Sequence, residues 1–157
     1  MFEKILVPLD GSEHSSRALD IAVQVARKFG STVMLIHVYS ITAGTIMMPE
    51  PTTLSPPGVP VVSSVEISKM TETAKKVGQR ILEDGEQKAK AENVPIEKIL
   101  EEGHVVQEII RVAKEKNCDL IVIGARGVSH IRELLLGSVT DGVIHHASCP
   151  VLVVKPK

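Results

Sequence analysis

Aromatic residues are almost missing from this chain: two phenylalanines, one tyrosine and no tryptophan in 157 residues. Phe2, Phe29 and Tyr39 cannot build a platform on which bases stack, which removes one route to single-stranded nucleic acid. An excess of charge of one sign is lacking as well. Eighteen Lys and Arg against nineteen Asp and Glu leave a formal net charge of −1, so no field steers the chain toward nucleic acid or an anionic membrane. No apolar run approaches the roughly 18 residues of a membrane span. The opening Met1 to Val7 reads as the start of a strand rather than a signal peptide. Cysteine is scarce. Cys118 and Cys149 stand far apart and fit neither a CxxC redox pair nor a zinc site. Two small thiols near strand starts, in a reducing cytoplasmic setting, are the expectation.

Several catalytic signatures are absent too. No GxxxxGK(S/T) motif supplies a P-loop lysine. No GxGxxG follows the first strand, which argues against a nicotinamide dehydrogenase, and GxSxG, HRD and DFG do not occur. Phosphoryl transfer needs a positioned metal, a charge clamp and an oriented nucleophile, and spacing alone assembles no such set. No catalytic residue is assigned. His145 and His146 are adjacent, so on a helix they point about 100° apart, whereas zinc-binding helices space histidines by four. They read as complements to a helix C-terminus, His37 as a core histidine, and His14 and His104 as residues with no partner in sequence.

What remains is an ordinary globular composition, 43% hydrophobic and 24% charged, at the size of one domain. Lys4 to Pro8 is a short apolar run that predicts a strand, followed by the turn Asp10, Gly11, Ser12 with Ser12 as N-cap. Ala18, Ile21, Ala22, Val25, Ala26 and Phe29 recur at helical spacing over Glu13 to Phe29, and Gly30 ends the run. Thr32 to Tyr39 is a nearly continuous apolar strand, as strands covered on both faces are. From about 40 to 64 lies an irregular segment holding five of the nine prolines. A loop of this length is commonly functional or disordered, and the two readings here are a lid over a bound ligand or a solvated loop.

A long helix is predicted over Glu66 to Asn93, with Ile67, Met70, Ala74, Val77, Ile81 and Leu82 on one stripe. Then come a strand over Ile96 to Leu100, a helix over His104 to Asn117, a strand over Asp119 to Gly124, a short helix after Ser138, and a last strand over Pro150 to Val154. Strand and helix alternate throughout 1–157, so the expectation is a single α/β domain. Its core is an open five-stranded parallel sheet with helices on both faces, Rossmann-like. Ligands of such sheets bind beyond the carboxyl ends of strands where the strand order reverses; Asp10, Val38 and Gly124 fall at or near such ends. The terminal strand, Val151 to Val154, belongs at a sheet edge with unpaired backbone groups, which either pair with another chain or are covered by a loop.

The densest signal is the run from Ile121 to Thr140. The strand delivers the chain into Gly124-Ala125-Arg126-Gly127, and nine residues later Gly137-Ser138 opens a helix. Glycines at such places let backbone N–H groups approach an anion, and a helix N-terminus adds unpaired donors and positive dipole charge. The reading is a phosphate cradle. Arg126 either reaches a phosphate oxygen or faces solvent. Asp10 accepts from ribose hydroxyls or a base amino group, or serves as a turn carboxylate beside Gly11. A polyphosphate needs more positive charge than these residues supply, so Mg²⁺ or Mn²⁺ is expected on the phosphates, with no protein side chain assigned as its ligand.

The string G-x-x-G, nine residues, G-S, here Gly124 to Gly127 and Gly137-Ser138, resembles the nucleotide-binding signature of the universal stress protein family. Ile5 to Ser12 looks like the family's first strand and loop, Leu35 to Val38 like its second strand, and Cys149 to Val154 like its closing strand. Ile41 to about Ser64 has no clear counterpart and coincides with the family's variable loop. The resemblance implies an adenine nucleotide alpha-hydrolase-like fold and the ATP-binding branch, with ATP, AMP or ADP as ligand. It implies that Pro8, Leu9 and Asp10 line the adenine and ribose side, that Val38 closes over the base, and that Ile123 and Gly124 flank the ribose. Gly127, Gly137, Ser138, Val139 and Thr140 would hold the phosphates. It also implies a homodimer through Val151 to Val154, acting as a nucleotide-responsive switch or adaptor for a protein partner in a stress response, with at most slow hydrolysis. The alternatives are an adenine-nucleotide hydrolase or transferase, and a scaffold whose glycine loop is structural.

Overall fold

The computed structural model describes residues 1–40, 63–126 and 136–155. Among them nine elements follow in order: β1 Lys4–Pro8, α1 Glu13–Phe29, β2 Thr32–Tyr39, α2 Ser64–Lys90, β3 Ile96–Glu102, α3 Val105–Glu115, β4 Leu120–Gly124, α4 Ser138–His146 and β5 Val151–Val154. The strands form one sheet of order β3-β2-β1-β4-β5, and every neighbouring pair is parallel. The chain winds outward from β1 to β3, then restarts at β4 on the other side of β1. The strand order therefore reverses between β1 and β4. The proline-rich segment, but for its ends, falls outside the described residues.

Alternation along the strands divides the core in two. Ile5, Val7, Val33, Leu35, Leu120 and Val122 pack with Leu19, Val23 and Leu82 of α1 and α2. Leu6, Met34, Ile36, Ile121 and Ile123 pack on the opposite face with Ile109, Val112 and Val143 of α3 and α4. Burial on both faces is why these strands carry hardly any polar residue. β3 is the exception, running to Glu102 through Glu97, Lys98 and Glu101, because an edge strand tolerates charge and is blunted by it.

Two helices bury only part of the stripe their apolar spacing predicts: Ala18, Ala22 and Ala26 in α1 and Leu82 in α2. In α1 the buried residues are Ser15, Ala18, Leu19, Ala22, Val23 and Ala26, while Phe29 stays half exposed and stacks edge-on against Phe2 at 5.5 Å. Small residues allow α1 to approach the sheet closely, so Leu19 and Val23 join the alanines of the stripe in the core. In α2 the buried residues are Gly78, Leu82, Gly85 and Ala89; Met70 and Val77 are each 53% exposed. A β carbon on Gly78 would stand 2.6 Å from Cδ2 of His37, and one on Gly85 2.7 Å from Cδ1 of Leu9. Glycines set the contact, and a count of apolar residues cannot see them. α2 also starts earlier than its periodicity suggests: Ser63 caps it, accepting from the Glu66 N–H while Glu66 accepts from the Ser63 N–H.

The remaining elements follow their sequence signals. The Ser12 side chain caps α1 by accepting from the Ser15 N–H, and Gly30 closes it at φ 70°. No helix among the described residues is long and apolar enough to cross a membrane. Cys118 and Cys149 carry free thiols. Burial pushes the Cys118 thiol up to about 11, and burial raises Cys149 as well. Since the thiolate is the nucleophile, iodoacetamide at about pH 8 is expected to label Cys118 at least about 100-fold more slowly than a free thiol, with Cys149 modified first. Mass spectrometry of a labelling time course reads this. Rapid labelling of Cys118 in folded protein would mean that its end of β4 opens readily.

Candidate nucleotide site

Two neighbouring strands, β1 and β4, end side by side. β1 stops at Pro8, and Leu9 N–H makes the last rung to Ile36 O at 2.8 Å. The chain then turns: Asp10 Oδ1 accepts from Ser12 N–H at 3.0 Å, and Gly11 takes φ 79°. This is an Asx turn, and it leads directly into the α1 cap. Ser15 in the first turn of α1 donates its hydroxyl to Ser12 O at 3.0 Å and lies buried below Asp10.

β4 stops at Gly124. Thr140 Oγ1 donates to Gly124 O at 2.8 Å from a position only 2% exposed, and Gly137 N–H donates to Ala125 O at 2.8 Å. These two bonds clamp the start of α4 against the end of β4. Gly137 is the N-cap of α4 and has no side chain to cap with; the first bond inside the helix runs from Asp141 N–H to Gly137 O. The N–H groups of Ser138, Val139 and Thr140 consequently have no acceptor among the described residues. Three unpaired donors at the positive end of a helix form an anion-binding terminus.

Between these ends lies a cavity of about 240 Å³. Pro8, Leu9, Asp10, Val38, Ile123, Gly124, Arg126, Gly137, Ser138, Val139 and Thr140 all line it. Gly127 lies outside the described residues. The structure thus brings eleven of the twelve sequence-predicted residues to one place. Two of their expected contacts take a different form. The Gly137 N–H is already committed to Ala125 O, and the Thr140 hydroxyl hydrogen to Gly124 O, so both position the helix end and leave donation to the following amides.

Four lining residues escaped the sequence reading: Ser15, Ile36, Val105 and Ile109. Val105 and Ile109 were visible as the apolar stripe of α3, but nothing in a stripe tells whether it meets a sheet or a cavity. Together with Ile36, Val38 and Ile123 they make an apolar wall opposite Asp10. Val105, Ser138 and Val139 also border a second, open hollow of about 630 Å³ that includes His104, the uncapped N-cap of α3. The chamber's lining therefore combines an apolar group of side chains with the unpaired amides at the α4 N-terminus.

The histidines play other parts. His145 and His146 each set Nδ1 2.8 Å from the carbonyl four residues back, Asp141 O and Gly142 O, at the end of α4. No group of three His, Cys, Asp or Glu suited to a metal ion exists among the described residues. Among the described residues, Asp10 and Arg126 are the only ionisable ones that line the cavity.

A family model, the universal stress protein family, matches residues 1–155. The universal stress protein YxiE of Bacillus subtilis is 38% identical over 155 residues, covering 99% of this chain and 100% of that protein. MJ0577 of Methanocaldococcus jannaschii, also a universal stress protein, is 33% identical over 170 residues, with 100% and 97% covered. The solved structure of MJ0577 superposes with a TM-score of 0.81 at 26% identity, covering 100% of this chain and 98% of that one. A universal stress protein crystallised in complex with cAMP superposes at TM-score 0.67 and 25% identity, covering 99% and 98%. The chain belongs to the universal stress protein family.

Proposed function

We propose that this protein binds an adenine nucleotide, ATP or its AMP or ADP form, and acts as a dimeric nucleotide-responsive switch or adaptor in a stress response. One observation carries the reading: an apolar chamber at the reversal of strand order opens directly onto the three unpaired N–H groups of α4. The chamber suits a base and ribose, and the helix terminus suits the phosphates. The cAMP complex of a relative with the same fold supports an adenine ligand.

Mg²⁺ or Mn²⁺ accompanies the phosphates in this reading. Among the described residues Asp10 is the one carboxylate lining the cavity, and its Oδ1 already accepts from Ser12, so in this reading the ion draws its ligands from phosphate oxygens and water. Among the described residues no histidine or lysine lines the chamber, and in this reading hydrolysis is at most slow. Dimerisation runs through β5. This strand lies at the sheet edge, and Leu152 on it, with Ile144 and Leu136 of the α4 region, is an exposed large apolar residue, each about 40% accessible. Such an edge favours pairing with a second copy.

The test is thermal unfolding of nucleotide-free protein with and without Mg·ATP. At about a hundred times Kd the ligand is expected to add roughly 2.7 kcal/mol, a rise in Tm of about 5–10 °C at this size. No rise would remove ATP from the account and leave the glycine turn as a structural device.

A further inference from the structure

The backbone of β2 leaves one rung of the sheet unmade, and a side chain sits on the carbonyl that would accept it. Alternate residues of β2 point their amides to opposite neighbours. Thr32 N–H donates to Glu3 O and Ile36 O accepts from Leu9 N–H, both toward β1; Val33 N–H donates to Pro95 O and Tyr39 O accepts from Gly103 N–H, both toward β3. Val38 therefore points its N–H and C=O to the β1 side. After the rung from Leu9 N–H to Ile36 O, a parallel ladder continues with Val38 N–H to Leu9 O. Pairing instead ends at Pro8 with Ile36. Leu9 O lies 2.7 Å from Nδ1 of His37, and because a carbonyl only accepts, that nitrogen carries the hydrogen.

We propose that His37 is a positioning residue for base recognition: by occupying Leu9 O it holds the β1–β2 ladder open and reserves the Val38 N–H and C=O for the edge of a ligand base. Val38 lines the cavity; His37 does not. His37 sits on the other face of the sheet, where the bare backbone of α2 at Gly78 packs against its ring. It acts through Leu9 and Val38. The freed donor and acceptor match a base with a ring nitrogen beside an exocyclic amine. Adenine has two such edges, N1 with N6 and N7 with N6. On the corresponding edges guanine carries a carbonyl in place of the amine, and its own amine stands beside N3 on the sugar side. The inference rests on the nucleotide reading above and deepens it, assigning the choice of base to a residue outside the site.

Two measurements test it. The first is hydrogen exchange of the Val38 amide in nucleotide-free protein. His37→Leu releases Leu9 O and is expected to slow Val38 exchange at least about tenfold as the rung closes. Unchanged exchange overturns the proposal, and this result does not depend on nucleotide binding. The second is binding of Mg·ATP against its 1-deaza and 7-deaza analogues. Wild type is expected to bind one analogue about tenfold more weakly than ATP. In His37→Leu that penalty should vanish, with ATP falling to the level of the analogue. His37→Asn, whose amide nitrogen stands near the position of Nδ1, should restore it. A penalty that persists in His37→Leu, or no penalty for either analogue in wild type, sinks the idea. Wild type that binds no ATP sinks the nucleotide reading instead, and the exchange experiment then decides the role of His37 alone. If His37→Leu does not fold, Gly78→Ala displaces the ring from the α2 side and is read by the same two experiments.

Discussion

Gly124→Ala is expected to lower the free energy of unfolding by about 3 kcal/mol, at the upper end of what overpacking costs. A β carbon there would stand 2.8 Å from both the carbonyl carbon and the carbonyl oxygen of His14, and 2.9 Å from its Cβ. The obstacle is backbone, and a side-chain rotation cannot relieve it. Nor is α1 free to retreat, because its first turn is tied down by the Ser12 cap, the Ser15 hydroxyl and the Asp10 turn. Any displacement of α1 carries Asp10 and Ser15 out of the cavity wall, so nucleotide affinity should fall with stability. Gly30→Ala is the control. That residue has φ 70° with nothing within 4 Å of an added β carbon, so only the left-handed strain applies, about 1 kcal/mol. Urea titrations of the two variants decide the matter. A Gly124→Ala loss no larger than that of Gly30→Ala would mean that α1 does not bear on the end of β4 as closely as these distances state.

That contact marks where sequence reading stops. The order of elements is legible because each strand is an apolar run and each helix an apolar stripe, with Ser12 and Gly30 as boundary signals. The positions of Asp10, Val38 and Gly124 at or near strand ends are legible for the same reason, together with the rule that ligands gather where strand order reverses. Packing is another matter. Gly78 and Gly85 form the inner face of α2 by having no side chain, so a search for apolar periodicity settles on Met70 and Val77, which face outward. Ile109 is buried in the core and Val105 half-buried against it, yet both also line the cavity. The open rung at Val38 depends on whether a histidine reaches a carbonyl 28 residues away, and no local pattern encodes that.

Gly137→Asp is expected to strengthen the fold slightly while raising the Kd for Mg·ATP at least about 100-fold. The two effects have one origin. Gly137 holds φ −64° and ψ 151° as the N-cap of α4, an extended conformation open to any residue, and aspartate is a preferred N-cap. Its carboxylate would accept from the first-turn amides that glycine leaves bare, gaining roughly 0.5 kcal/mol from capping and from the helix dipole. Those amides are the donors proposed for the phosphates. The new charge also stands close to the anion; at about 4 Å and an effective dielectric constant near 20, like charges repel by about 4 kcal/mol. Adenosine, which has no phosphate, should bind as it does to wild type. Gly137→Asn separates the two causes, since it caps without charge and should cost about tenfold. Added salt should recover part of the aspartate loss and little of the asparagine loss. Calorimetric titration of both variants with ATP and adenosine reads all of this. Wild-type ATP affinity in Gly137→Asp would place the phosphates elsewhere than the α4 terminus, and equal loss of adenosine would show that the substitution had disturbed the chamber itself.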